Sequence, residues 1–244
     1  MKNTSFSPHE ITWDHGKSRR LWSYYSQSKH HQDKYFGRKI GRQVAMLLWR
    51  KGLLKGALAI LDFSCGKGDL IKHVSQYLTK RQTITGIDVS TASISATLRH
   101  NKDNTNFAGA HTITTWPGPL PDCSQDLVFA TEVIEHLTEE EVSDALQECR
   151  RLLKPGGRLF LTTPNDEILD TEKTLCPECG CIFHRWQHIQ SWSVDRLSTC
   201  LQEHGFQVDE CDTILWGPWL LRIYYQLTRK KFNGLYAIAT ASNN

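Results

Sequence analysis

Two carboxylates and an imidazole stand close together in the segment Glu132-Val-Ile-Glu135-His136. Spaced i, i+3 and i+4, they would share one face of a helical turn, and such a set suits a divalent cation. A cation held there would lower the pKa of a bound hydroxyl and orient it, which makes Glu132, Glu135 and His136 the candidate catalytic residues. The plainer alternative is a common strand end with His136 satisfied locally. A second set follows at Cys176-x-x-Cys179-x-Cys181-x-x-His184-x-x-x-His188. Within it Cys176, Cys179, His184 and His188 supply four ligands for one tetrahedral zinc, the alternative being unligated loop cysteines. His188 cannot serve a zinc and a catalytic cation together.

These residues need strands and helices to present them. The stretch Ala59–Leu70, AILDFSCGKGDL, reads as a buried strand running through a Gly-containing turn into a helix, a place to cradle a polar ligand. Asp88 closes the next β-branched run, TITGIDV, about twenty positions after Gly68, the spacing at which a carboxylate accepts hydrogen bonds from ribose hydroxyls. Further apolar runs at Asp126–Thr131, Arg158–Thr163, Phe206–Cys211 and Leu235–Thr240 alternate with amphipathic segments. That alternation predicts a parallel-rich α/β three-layer sandwich. Glu132, Glu135 and His136 fall at the carboxyl end of one strand, the edge where open α/β sheets bind ligands.

Before this core, residues 1–16 read as a loosely held lead-in, and Lys17 to about Leu54 as helical, rich in Trp22, Tyr24, Tyr25, Tyr35 and Phe36. These aromatics are either core or a lid over the Gly turn. The apolar insert ILWGPWLLRIYYQL at 214–227 reads as core, as a roof on an acceptor pocket, or as an amphipathic piece lying on a membrane surface beside Arg229, Lys230 and Lys231. The expected organisation is an N-terminal helical lead-in and lid over 1–56 and one domain over 57–241, with a Cys/His loop at 176–188 and an aromatic insert at 214–231. The 244 residues, 39% hydrophobic and 23% charged, suffice for one large α/β domain. A net charge of +3 does not argue for nucleic acid. Only three of the eight cysteines cluster, which points to reduced thiols. With no apolar stretch of signal or membrane-spanning character, the expected compartment is the cytoplasm.

Taken in order, LDFSCGKGDL, GIDVS, DLVFATEVIEHL and LLKPGGRLFLTTPN resemble the motifs of class I S-adenosylmethionine-dependent methyltransferases, over roughly residues 57–213. The resemblance implies a Rossmann-like seven-stranded, mostly parallel sheet with one antiparallel strand, and S-adenosylmethionine as methyl donor. Asp62, Ser64, Gly66 and Gly68 would line the donor's methionine end, and Asp88 would hold its ribose. Two positions depart from the family pattern. Ser64 replaces a turn glycine, and no acidic residue lies between Asp103 and Asp122 to hold the adenine amino group, leaving Thr114, Thr115 or a backbone carbonyl. The E-V-I-E-H segment looks like that of small-RNA 3′-terminal ribose methyltransferases and of some ubiquinone-pathway O-methyltransferases. His188 with Trp192 matches the later His and Trp of the former. The expected activity is O-methylation of a small or sugar-like metabolite. The alternatives are a metal-dependent RNA 3′-terminal ribose 2′-O-methyltransferase and a non-catalytic, zinc-containing interaction module.

Overall fold

The computed structural model describes residues 6–28, 35–218, 225, 227 and 232–242. The chain opens with a short strand, His9–Glu10 (β1), and two helices, His15–Gln27 (α1) and Phe36–Arg50 (α2). Strands and helices then alternate through Ala59–Phe63 (β2), Asp69–Ser75 (α3), Thr83–Asp88 (β3), Thr91–His100 (α4), Phe107–Thr112 (β4) and Gln125–Thr131 (β5). A 3-10 turn at Ile134–His136 leads to Glu139–Leu152 (α5) and Leu153–Pro164 (β6). The remainder holds Lys173–Leu175 (β7), Cys181–His184 (β8), Val194–Glu203 (α6), Phe206–Ile214 (β9) and Gly234–Ala241 (β10).

Seven strands form one sheet in the order β4-β3-β2-β5-β6-β10-β9. The first five run parallel, while β10 lies antiparallel to both β6 and β9. The central strands are apolar on both faces because both are covered. Ile60, Ile84, Leu127, Phe129 and Phe160 meet Val44 and Leu48 of α2 and Ile71 and Val74 of α3 on one side. Leu61, Ile87, Val128 and Leu159 meet Leu146 and Leu152 of α5 and Leu197 and Leu201 of α6 on the other. The result is the expected three-layer sandwich. The helix starts are fixed by side-chain caps: Ser90 accepts from Ser93 N–H, Ser193 from Arg196 N–H, and Thr138 forms a capping box with Glu141.

The lead-in is better anchored than its sequence suggests. Helix α2 buries Ile40, Gly41, Val44, Ala45 and Leu48 in the main core, so it is a layer of the domain. His9 and Glu10 pair in parallel with Cys181 and Ile182, making β1-β8-β7 a small second sheet. Two residues are too few for an alternation to register in the sequence. Of the expected single helical run, α1 ends at Gln27 with Ser28 extended and α2 starts at Phe36, while residues 29–34 lie outside the described residues. Of the insert 214–231, residues 219–224, 226 and 228–231 lie outside the described residues. Its start is core: Leu215 and Trp216 are buried, and the Trp216 ring meets Phe36 edge-on at 5.6 Å. Among the described residues no helix is long and apolar enough to cross a membrane.

Candidate active site

The turn after β2 is built from left-handed residues. Ser64 (φ 65°), Gly66 (φ 54°) and Gly68 (φ 75°) all lie there, so the serine adopts the backbone region a glycine would favour. Gly68 is pressed from behind, since a Cβ would come within 2.5 Å of Asn101 Nδ2, whereas a Cβ on Gly66 would meet nothing within 4 Å. From the end of β3, Asp88 accepts Gly66 N–H at 2.9 Å and Ser90 N–H at 2.8 Å. Burial raises its carboxyl to about 6, against the pull of those two N–H groups. Asp62 is buried next to it and is pushed well above the carboxylate range by desolvation and by the Asp88 charge. Its Oδ2 has no hydrogen-bond partner. Thr114 and Thr115 follow Ile113, whose N–H donates to the Asp88 carbonyl at 2.9 Å, so they lie past the same edge.

The second group forms one strand over. Glu132 follows β5 with φ 52°, and Ile134–His136 take a 3-10 turn, where the spacing predicts one helical face. The two glutamates are therefore held by adjacent threonines of β6: Thr162 Oγ1 donates to Glu132 Oε1 at 2.8 Å and Thr163 Oγ1 to Glu135 Oε2 at 3.0 Å. Desolvation raises Glu132 to about 7, with the Thr162 bond opposing it. Glu135 is pushed well above its ordinary range by burial and by the charge of Glu132. Enclosure, with His188 beside it, lowers His136 to about 3, which keeps its imidazole neutral. Glu135 Oε1 is buried without a donor and stands 3.7 Å from His136 Nε2.

His188 reaches this group from the loop after β8. Ligand atoms of Glu135, His136 and His188 lie within 4.8 Å of one another, and so do those of Glu167, His184 and His188. Hydrogen bonds fasten the two loops, with the Ile189 backbone N–H donating to Glu135 O at 2.8 Å and the Gln187 side-chain Nε2 to His136 O at 3.0 Å. Helix α1 covers the junction. The Trp22 ring meets His136 edge-on at 4.9 Å and its N–H donates to Gln187 Oε1 at 2.5 Å.

The structure places two expected groupings differently from their spacing. Cys176, Cys179, His184 and His188 do not assemble as a zinc set: among the described residues the thiols join neither cluster, and His184 and His188 face Glu167. The physical reason is the hairpin. Cys176 N–H donates to Cys181 O at 2.8 Å at its tip, and the extended strand β8 then carries the chain about 10 Å to His184, at ~3.3 Å per residue. All eight cysteines are free. Nor does Glu132 join Glu135 and His136 in the three-residue group, because its positive φ turns its carboxylate onto Thr162. Glu167 was not legible as a site residue. The available signal was an acidic residue just past the carboxyl end of β6, the edge that binds ligands.

The chain is similar to known proteins in sequence and in fold. The methyltransferase-domain family matches residues 28–210 of this chain, which belongs to it as a class I S-adenosylmethionine-dependent methyltransferase. Similar curated proteins include a small RNA 2′-O-methyltransferase of Arabidopsis thaliana, 29% identical over 50% of this chain and 14% of its own length. A probable S-adenosylmethionine-dependent methyltransferase of Mycolicibacterium smegmatis is 27% identical over 67% of this chain and 58% of its own. A ubiquinone biosynthesis O-methyltransferase of Bradyrhizobium diazoefficiens is 33% identical over 45% and 41%. The chain thus spans less than two thirds of each relative. The fold is shared with a putative methyltransferase of Haloferax volcanii solved with its Trm112 activator (TM-score 0.68, 17% identical, 96% of this chain and all of that one). It is also shared with 1,6-didemethyltoxoflavin-N1-methyltransferase of Burkholderia thailandensis, solved with S-adenosylhomocysteine (TM-score 0.65, 15% identical, 97% and 95%). The residues of the turn fit the donor: the orphaned Asp62 Oδ2 and the open side of Gly66 offer acceptors and room, and Asp88 keeps lone pairs beyond its two backbone bonds.

Proposed function

We propose that this methyltransferase acts on a hydroxyl oxygen of a sugar-like acceptor, with a divalent cation held by Glu135, His136 and His188 and bordered by Glu132. The observation that carries this reading is the buried Glu135 Oε1, which has no donor and stands in a group of three ligand atoms within 4.8 Å. A carboxylate left without a partner in a closed site is costly, and a cation satisfies it. Bound S-adenosylmethionine supplies a methyl on a good leaving group, so the protein's part is placement and removal of the acceptor proton. In this reading Asp88, Asp62 and the 64–68 turn hold the donor. His136, kept neutral, holds the lone pair that ligation or proton acceptance needs, and the threonines of β6 fix the glutamates. Trp22 keeps water from His136.

A second acceptor, the ribose at the 3′ end of an RNA, is favoured by His188 standing with Glu135 and His136 while Trp192 is buried four residues on, and by the likeness to the Arabidopsis protein. The non-catalytic zinc module draws no support from the two trios, which hold no thiol among the described residues. The test is donor consumption over pools of nucleosides, sugars, phenols and short RNAs, with chelator or with added Mg2+ or Mn2+, and mass identification of the product. Cation-dependent O-methyl products are expected. Chelator-insensitive turnover would overturn the cation, and an N- or C-methyl product would overturn the hydroxyl. An RNA that is methylated equally well with a 3′-deoxy, 2′-deoxy end would remove the terminal-ribose reading.

A further inference from the structure

Glu167 lies on a loop that is fastened to the one bearing His188. Asp166 N–H donates to Trp192 O at 2.7 Å, and Asn165 and Trp192 form an isolated parallel bridge. The Glu167 carboxylate sits between two imidazoles, with Oε2 2.5 Å from His188 Nδ1 and Oε1 3.5 Å from His184 Nε2. The rings stack with centroids 4.6 Å apart. The direction of each contact can be worked out. His188 N–H donates to His184 Nδ1 at 3.1 Å, so that nitrogen holds a lone pair and the His184 proton is on Nε2, buried and facing Glu167. An ionised carboxylate only accepts, so His188 Nδ1 is the donor to Oε2 and the lone pair of His188 is on Nε2.

We infer that Glu167 is a positioning residue: it fixes His188 as the Nδ1–H tautomer and aims Nε2 at Glu135 and His136, while His184 anchors Glu167 and is not itself a ligand. This rests on the cation reading above and deepens it. A carboxylate behind a ligating imidazole fixes ring and tautomer and raises ligand basicity, and losing one typically weakens metal affinity about 10- to 100-fold. The competing geometry places the cation in the second trio, between Glu167, His184 and His188.

The test uses the full chain, freed of metal with chelator, and Mn2+ alone as probe, followed by electron paramagnetic resonance of the free ion. Affinity for S-adenosylhomocysteine and the metal-free melting temperature are measured on every variant. Glu167→Gln is expected to weaken Mn2+ about 10- to 100-fold with the other two readouts unchanged, and Glu135→Gln and His188→Ala to abolish binding. If Glu167→Gln lowers the melting temperature, Glu167→Asp carries the test, and retention of Mn2+ affinity between wild type and Glu167→Gln is expected. Wild-type affinity in both Glu167 variants would overturn this inference alone. Loss of binding in His184→Gln with retention in Glu135→Gln would overturn it in favour of the second trio. No Mn2+ binding by the wild type would overturn this inference and the cation reading together, leaving donor binding to report on the methyltransferase itself.

Discussion

Asp88→Asn separates donor recognition from fold stability. In the native chain its two carboxylate oxygens each accept a backbone N–H, from Gly66 at 2.9 Å and Ser90 at 2.8 Å. Asparagine has one acceptor oxygen, so an amide NH2 must confront one of those N–H groups, a fault of about 1–3 kcal/mol. Against that, the variant removes a carboxylate whose burial raises it to about 6, and relief of that desolvation offsets part of the fault. Donor affinity has no such offset. Ribose hydroxyls bonded to an ionised acceptor contribute about 1.5–3 kcal/mol each, and the amide retains roughly one bond of neutral strength. A net loss of about 2–4 kcal/mol corresponds to a 30- to 1000-fold weaker complex. Calorimetry with S-adenosylhomocysteine measures the affinity, and thermal melting of the ligand-free protein, expected to move by a few degrees at most, measures the fold. Affinity within threefold of wild type would refute the assignment of Asp88 to the ribose.

The same carboxyl gives a pH dependence. Because Asp88 is raised to about 6 and the donor's hydroxyls favour the ionised form, S-adenosylhomocysteine affinity should be flat above pH 7 and fall up to about tenfold per pH unit below 6, as titration calorimetry from pH 5 to 8 would read. Glu135→Gln replaces a buried carboxyl pushed well above its ordinary range, so the melting temperature at pH 7.5 should hold or rise while cation-stimulated turnover is lost; a fall of more than about 4 °C would contradict the account of its burial. Cys176→Ser should leave cation stimulation within about twofold of wild type, because the hairpin tip is separate from both trios, and loss of stimulation in a steady-state assay would reinstate a shared thiol–imidazole site.

Sequence patterns carried the sheet well because its strands are two-sided. Runs such as Ala59–Phe63 and Asp126–Thr131 read as buried whichever way they face, and glycines with Asp88 mark the turn that both faces leave open. The pattern failed where geometry turns on one residue's φ or on a pair of residues. The i, i+3, i+4 spacing at 132–136 implies a helical face, yet Glu132 sits at φ 52° and that face never forms. Strand β1 is two residues long, below any detectable alternation. For Cys176 to His188 the ligand types were legible and their grouping was not, because spacing alone does not reveal that β8 is extended and parts His184 from the thiols. Glu167 required knowledge of which loops are fastened together, and that lies in tertiary bonds such as Asp166 N–H to Trp192 O.

The strand order explains why the Gly turn and the Glu/His cluster are neighbours at all. From β2 the chain moves outward through β3 to β4, then returns to β5 on the other side of β2 and continues to β6. Connections leaving in opposite directions open a crevice at the carboxyl ends of β2 and β5. Register then sets the depth: Phe63 pairs with Ala130 and Thr131 with Thr162, so Ser64 and Glu132 leave adjacent strands at nearly the same level. Both take positive φ there, Ser64 at 65° and Glu132 at 52°, which bends each chain away from the sheet where an extended residue would continue it. The turn is held by Asp88 and its own N–H groups, the Glu/His cluster by Thr162, Thr163 and the His188 loop, and no described hydrogen bond is common to the two. Substitutions in the cluster should therefore change transfer at constant donor affinity, additively with changes at Asp88. A double variant of Asp88→Asn with Glu135→Gln whose donor affinity departs from that of Asp88→Asn alone by more than about threefold would show that the two sides of the crevice are energetically linked.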